Sequence, residues 1–334
     1  MKNINRHVIH LCGSPTNDFF FNLSLIYSKN ILLPPSWEQS FIKVDPKKNF
    51  YFMNNSNWKL VKFNDLKKII PPKSLIVPHL FCYDGMTNYR NYFENNLGLP
   101  LVGSTGKIMT LSINKDKTKK LVNKAGVKVP NGLLIKNNQI PELKFPVILK
   151  PNFQDNSTGV RLIYKKDQYT DTAIFLQSKY GDILAEEYIP GREIRVAVIE
   201  YNGECYVPEM IEYPVSETNP IRKIEDKLDI KNNDVPYQQA SNTLLETICP
   251  AVVDDKLKNK IISSAILAHK SIGARHYSLF DFRIDERTNE PIFLEAGLFW
   301  SFSKASMISK MLLAGGQDLV KIIDKVWSDA LVNF

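Results

Sequence analysis

Two strand-length runs near the C-terminus, Tyr277–Asp285 and Pro291–Ala296, alternate apolar and polar residues on either side of a short polar turn. A period of two is the mark of strands with one face on a core. Phe280, Phe282 and Ile284 share one face of the first run, and Leu279, Asp281 and Arg283 the other. On the second run Ile292, Leu294 and Ala296 fall together, with Phe293, Glu295 and Gly297 opposite. A hairpin symmetric about Thr288 sets Asp281 against Glu295. Directly opposed residues have Cβ atoms about 4.5–5.5 Å apart. Two carboxylates that close repel unless a cation lies between them, and Mg²⁺ takes one or two carboxylates together with phosphate oxygens and water. The bland alternative is a solvated sheet face carrying two acids. A one-residue slip in the turn would break the pairing.

Upstream, the pattern divides. Val8–Cys12 and Leu75–Pro78 read as buried strands, Tyr89–Leu97 as helical and Leu101–Gly103 as a short strand. Strands alternating with helices predict an α/β unit to about residue 105. A helix is expected over Lys115–Ala125, capped by Asn114 or Ser112 and stopped at Gly126. Phe145–Lys150 and Ile183–Ile189 read as further strands. Glu193–Glu200 and Glu204–Glu212 flank Asn202-Gly203, a strong hairpin signal. Residues 214–240 read as a long polar loop. Asp255–Ile272 is an amphipathic helix, with Leu257, Ile261, Ala265, Ala268 and Ile272 on one face and Gly273 beyond its end.

Composition narrows the chemistry. The 334 residues hold only 15 Gly and none of the glycine-rich phosphate loops; Gly98 and Gly103 have a loop's spacing, but Ser104 stands where its lysine would be. Four dispersed cysteines and five histidines without paired spacing argue against a zinc site and fit a reducing cytoplasm. No run approaches a membrane span, and the opening apolar run is too short for a secretory signal. The net charge of +8 is spread over scattered Lys and Arg, unlike the aromatic-interleaved stripes of nucleic-acid binders. Lys150 ends an apolar strand before Pro151, so it either snorkels or points into a cleft. Lys115 stands in a crowd with Lys117, Lys119 and Lys120, the pattern of a solvated helix face. Glu186-Glu187-Tyr188-Ile189-Pro190-Gly191 reads as a strand leaving one unit and turning, with Glu193 and Arg195 on one face just beyond.

Four segments in order, NKDKTKKLVNKAGVKVP (114–130), FPVILKPNFQDNSTGV (145–160), ILAEEYIPGREIRVAVI (183–199) and YSLFDFRIDERTNEPIFLEAGLFWSFSKASMI (277–308), resemble the ATP-grasp superfamily and most closely its D-alanine–D-alanine ligase-like family. The resemblance runs from about His79 to the C-terminus. It implies an α/β chain of α+β ATP-grasp type: an N-terminal α/β substrate-side domain (1–110), a central ATP-grasp subdomain (111–189) and a C-terminal catalytic domain (190–334), the last two clamping ATP. It implies ATP and Mg²⁺ as cofactors. Lys115 and Lys150 would meet the phosphates, and Glu186, Glu187, Tyr188 and Ile189 the adenine, with backbone groups of the last two at its edge. Glu193 would bind the ribose, and Asp281 and Glu295 the magnesium. Gln154–Gly159 would cover the phosphates, with Ser157 on the substrate side. Ser306 matches a serine that anchors a substrate carboxylate, and Asp18 and His79 would stand on the acceptor side.

The departures cluster on that side. The family's Glu-x-Asn reads Glu295-Ala296-Gly297, and its oxyanion-stabilising arginine is Leu279, for which Arg283 is the candidate replacement. Leu228, after Lys227, stands where a loop tyrosine is usual, and Cys12-Gly13 replaces Gly-Gly. The resemblance therefore implies an ADP-forming ligase that phosphorylates an acceptor oxygen and condenses it with the amine of an amino acid. The segment LEAGLFWSFSKASMI is similar to the mycosporine-biosynthesis branch, with an acid or enaminone as acceptor. D-Alanine–D-alanine ligation is the alternative within the class, and a non-catalytic nucleotide-binding module the alternative outside it. Small-molecule substrates are expected, with no nucleic acid and no membrane, and a homodimer is a family-typical assembly.

Overall fold

A computed structural model describes residues 6–334 except 55–56, 136–142, 155–156, 217, 223–227, 232–234 and 240–246, with the backbone alone over 228–231 and 235–239. The first apolar run forms β1 (Arg6–Gly13), followed by α1 (Asp18–Tyr27), β2 (Trp37–Val44), β3 (Phe50–Asn54), β4 (Asn57–Val61), α2 (Leu66–Ile69) and β5 (Ser74–Pro78). The sheet order is β4-β3-β2-β1-β5, parallel about β1 and antiparallel at β3 and β4. Both faces of β1 and β5 are buried, which is why they read as unbroken apolar runs. The helical stretch expected over Tyr89–Leu97 winds as two π-helical turns, Gly85–Tyr89 and Tyr92–Asn96. Leu101–Gly103 is not a strand. Leu101 makes one bridge to Ile76, and the N–H of Gly103 leaves the sheet for Nδ1 of His276.

Next come α3 (Gly106–Ile113) and α4 (Lys115–Lys124). Asn114 caps α4 through a 3.0 Å bond from Lys117 N–H, as its position before the charged run predicts. A second sheet holds β6 (Gly132–Ile135), β7 (Val147–Pro151), β8 (Arg161–Ile163) and β9 (Ile183–Glu187), in the antiparallel order β6-β9-β7-β8. One face is covered by α5 (Lys166–Tyr180), whose Tyr169, Ala173 and Leu176 pack on Val147, Leu149 and Ala185. The opposite face is left to the cleft described below.

The third sheet is built on β10 (Gly191–Tyr201). The run 204–212 does not form one strand. It breaks into β11 (Glu204–Tyr206) and β12 (Ile211–Tyr213), which pair with opposite ends of β10. The Asn202-Gly203 turn has positive φ at both residues, +53° and +73°, as a two-residue hairpin of matching twist demands. Within the expected loop, β13 (Leu228–Lys231) and β14 (Val235–Gln239) form a hairpin whose second strand lies beside α1. After α6 (Asp255–Ile272), β15 (Tyr277–Asp285) pairs with β10 and with β16 (Glu290–Gly297), and α7 (Met307–Ala314) and α8 (Leu319–Val332) close the chain.

The apolar stripe of α6 meets Val196, Val198, Phe280, Phe282 and Phe293 on one side of this sheet. On the other side Ala197, Ile199, Tyr277 and Leu279 join Trp300, Phe302 and Trp327, and through them Val8 and Val77 of the first sheet. One core thus spans the first and third sheets, and each fully buried large side chain contributes on the order of 1.5–3 kcal/mol. Among the described residues no helix is long and apolar enough to cross a membrane.

Candidate functional site

A cleft lies between the uncovered face of the second sheet and the β10–β15–β16 face of the third. Lys150, Glu186, Glu187, Tyr188 and Ile189 line it from one side, and Glu193, Asp281, Arg283, Leu294 and Glu295 from the other; Lys115 and Ser157 complete the wall. Eleven sequence-predicted residues therefore meet at one place.

The opposition of Asp281 and Glu295 is real but does not arise from a regular hairpin. Phe282 pairs with Phe293, whereas Asp281 pairs with Glu295. Leu294 is the extra residue of a β-bulge, and the ladder near the turn is one residue out of the expected register, with Asp285 paired to Glu290. The bulge restores the register beyond it. It also corrects the face assignment: Phe293 goes to the α6 core, and Leu294 and Glu295 go to the cleft.

Buried charge is concentrated at Glu186. Its carboxylate receives Nζ of Lys150 at 2.7 Å and Nζ of Lys119, and all three residues are at least 93 % buried. Burial alone would raise the Glu186 carboxyl, but the two lysines outweigh it and hold it down to about 2. Burial pushes Lys119 down to about 7 against the pull of Glu186. Burial opposes the charge of Lys150 as well, but Glu186 outweighs it and Lys150 is raised. The triad fixes Lys150 as the firm cation, pointing into the cleft rather than snorkelling. Within the 186–189 segment expected to hold the adenine, the Glu186 carboxylate is engaged by the two lysines. Lys119 was read as part of a solvated face and is buried. Its spacing of four from Lys115 puts both on one side of α4, and that was the available signal.

Nζ of Lys115 reaches the carbonyl of Gln154 and lies 3.7 Å from Glu295. Asp116 N–H donates to Oδ1 of Asn152, which holds the start of α4 against the end of β7. At the edge of the second sheet, Tyr188 N–H donates to Pro146 O and Glu187 N–H to Asn131 O. The Tyr188 N–H is therefore used within the fold, while Tyr188 itself lines the cleft. Ile189 is buried in the cleft wall.

Arg195 grips Asp281 with two 2.5 Å hydrogen bonds. The two are cross-strand partners, and neither guanidinium nor carboxylate is left uncompensated. With Glu295 opposite, the two carboxylates supply the hard, anionic oxygen donors that suit Mg²⁺. Glu193 lies between two guanidinium groups, 3.3 Å from Arg222 and 3.4 Å from Arg283. Arg222, which sequence reasoning missed, lies over the Tyr213 ring at 3.4 Å; it belongs to an irregular stretch with no periodicity to place it.

Arg283 does not occupy the place of the arginine missing at Leu279. It donates to the carbonyls of Gly191 and Pro220, at the Tyr188 end of the cleft. It lies four strand positions from Leu279, about 13 Å. Leu279 itself lies between Ala197 and Gly297 and packs into the core. Three further predicted residues are not brought to the cleft lining. Ser306 caps α7, accepting from Ser309 N–H and donating to Ser309 Oγ at 2.8 Å. Asp18 is exposed in the first turn of α1, where a carboxylate complements the helix dipole. His79 is fully buried, with Nε2 3.1 Å from Nδ1 of His10, and burial keeps it neutral. Lys227 lies outside the described residues.

Residues 117–328 match the family model described as D-ala D-ala ligase C-terminus. A D-alanine--D-alanine ligase of Hydrogenovibrio crunogenus is 26% identical over 239 residues, 70% of each chain. Another from Brucella anthropi is 29% identical over 243 residues, 70% of this chain and 73% of that one. Among solved structures, the VanG D-Ala:D-Ser ligase of Enterococcus faecalis superposes with a TM-score of 0.78 over 98% of this chain and 99% of that one, at 19% identity, a likeness of fold.

Proposed function

This chain belongs to the D-Ala–D-Ala ligase family of ATP-grasp enzymes, ATP- and Mg²⁺-dependent ligases that form a carbon–nitrogen bond, and from that premise we propose that it joins two amino acids, D-alanine first among them. The carrying observation is the meeting of two lysines, Lys115 and Lys150, with an opposed carboxylate pair in one cleft. We take 1–110, 111–189 and 190–334 as its working units.

In this reading Lys115 and Lys150 counter phosphate charge, and Glu186 holds Lys150 in place. Positioning and electrostatics of this kind supply most of the catalysis in phosphoryl transfer. Asp281 and Glu295 would hold Mg²⁺, which lowers the charge on the transferring group. Arg195 fixes the orientation of Asp281. Glu193 and Ile189 shape the nucleoside end, and Ser157 covers the phosphate end, where excluding water protects an activated acceptor.

A second reading, transfer of an amino acid to a planar acceptor such as an enaminone, has its own support. A Cβ added at Gly297 would meet the Phe299 ring at 3.2 Å, so an aromatic ring stands beside the place of the usual asparagine. Phe299 meets Phe81 edge-on at 5.7 Å, and Phe81 meets Tyr27 at 5.1 Å. ADP release with D-alanine as sole amine and acceptor separates the two. Release with formation of a dipeptide mass supports the first. Release only with a second, planar acceptor supports the other.

A further inference from the structure

The third sheet carries a second cluster of chemistry-bearing side chains, at the far end of β10. Glu200 of β10, Cys205 of β11 and His269 of α6 bring a carboxylate oxygen, a thiol sulfur and a ring nitrogen within 4.8 Å of one another. Glu200 and Cys205 are cross-strand partners, so the Asn202-Gly203 turn sets their spacing. Glu193, in the cleft, is seven residues away along the same strand, about 23 Å. The two sites are therefore distinct.

We propose that Glu200, Cys205 and His269 form a site for Zn²⁺ or a similar borderline transition-metal ion. The donor set decides the class of ion. A thiolate with an imidazole selects Zn²⁺ and its neighbours over Mg²⁺ and Ca²⁺, which take oxygen. The imidazole is already oriented. Nδ1 of His269 lies 2.8 Å from Ser278 Oγ, which leaves Nε2 to face Glu200 Oε2 at 3.2 Å. Histidine ligands to metals are held in this way, with the second nitrogen fixed by an outer partner. Both Ser278 and His269 are buried, whereas Glu200 and Cys205 are partly exposed, so an ion can enter from solvent. Tetrahedral bonds of about 2.0–2.3 Å place donors about 3.6 Å apart, so the 3.2 Å His269–Glu200 pair opens slightly around the ion, within a cluster whose donors already lie within 4.8 Å of one another. The next imidazole, His276, accepts from Gly103 N–H at Nδ1, and its Nε2 lies 4.0 Å from Asp329. The fourth position falls to water. The bound ion would clip the β10–β11 hairpin to α6. When it binds, the Cys205 thiol proton and any proton on Nε2 are released to solvent, and the sulfur binds as thiolate.

Co²⁺ titration of the full chain, kept reduced with a phosphine, tests this. The expected result is a thiolate-to-cobalt charge-transfer band with four-coordinate visible bands, saturating at one ion and displaced by Zn²⁺. Cys205→Ser should abolish the charge-transfer band and Cys249→Ser should keep it. Ser278→Ala should weaken Zn²⁺ about 10–100-fold. Glu200→Gln should weaken it too, with circular dichroism and ATP-dependent ADP release checking that each variant is folded. A charge-transfer band that survives Cys205→Ser, or none at millimolar Co²⁺ in the folded wild-type chain, overturns the proposal.

Discussion

Asp281 faces Glu295 across the β15–β16 ladder because Leu294 bulges out of it. Without the bulge, Phe293 and Glu295 would share a face, and one of them would be misplaced. With it, Phe293 enters the core beneath α6 and Glu295 enters the cleft 3.7 Å from Lys115. Bulges recur beside functional sites because they re-aim a side chain in this way.

Glu295→Gln removes one of two opposed charges while keeping the shape. Loss of a directed electrostatic contact at a reacting centre typically costs about 10²–10³ in kcat. The expected outcome is a loss of that size in ADP release, with the thermal midpoint little changed because Glu295 is partly exposed. Turnover within a factor of two of wild type would place the metal elsewhere.

Arg283 ties β15 to the carbonyls of Gly191 and Pro220 and stands 5.8 Å from the Tyr188 ring. Its contacts belong to the nucleoside end of the proposed site. Arg283→Ala should therefore raise the KM for ATP about tenfold or more and change kcat far less. Initial rates at varied ATP decide this, and a kcat loss at unchanged KM would return Arg283 to the chemistry.

Much of this was legible in the sequence. Apolar spacing of three and four residues gave α6 its full span, and the Asn-Gly turn gave the β10–β11 register. The opposed acids and Lys150 were legible because each ends or interrupts an apolar strand. Other features were not. A period of two cannot reveal a bulge, so Phe293 and Glu295 read as neighbours on one face. Lys119 resembles Lys117 and Lys120 until Glu186, 67 residues away, is brought beneath it. His79 read as a substrate-side residue but closes a buried pair with His10, a contact between β1 and the residue after β5 that no local pattern encodes.

His276 predicts an acid limit. Burial, reinforced by the charge of Arg275, pushes its imidazole down to about 4, while Nδ1 accepts from Gly103 N–H. The folded value lies below the unfolded one of 6.5, so the unfolded chain binds more protons between them. The contribution is whole above pH 6.5 and falls away as pH drops towards 4, on the order of 3 kcal/mol in all. Asparagine tolerates the left-handed backbone found here, φ +67°, and offers an acceptor oxygen. His276→Asn should flatten this limb in urea melts taken from pH 7 to pH 4. An unchanged slope would show that His276 titrates normally in the fold.

Glu186 gives the largest stability effect. Its carboxylate is the shared counter-charge of two buried lysines, so Glu186→Gln leaves Lys119 and Lys150 facing each other without it. Removing one partner of a buried ionic cluster costs about 3–5 kcal/mol. The wild-type carboxyl is held down to about 2 against an ordinary 4.5. Its contribution is therefore complete above pH 4.5 and is lost as pH falls through 2, because over that window the unfolded chain takes the proton first. Two readouts follow. At pH 7 Glu186→Gln should lower the denaturation midpoint strongly, and Lys119→Met in the same background should recover part of the loss by removing a buried amine left without its partner. Below pH 4.5 the stability difference between wild type and Glu186→Gln should shrink as the wild-type carboxylate protonates. A difference constant from pH 7 to pH 2 would mean that packing, and not charge, carries the effect.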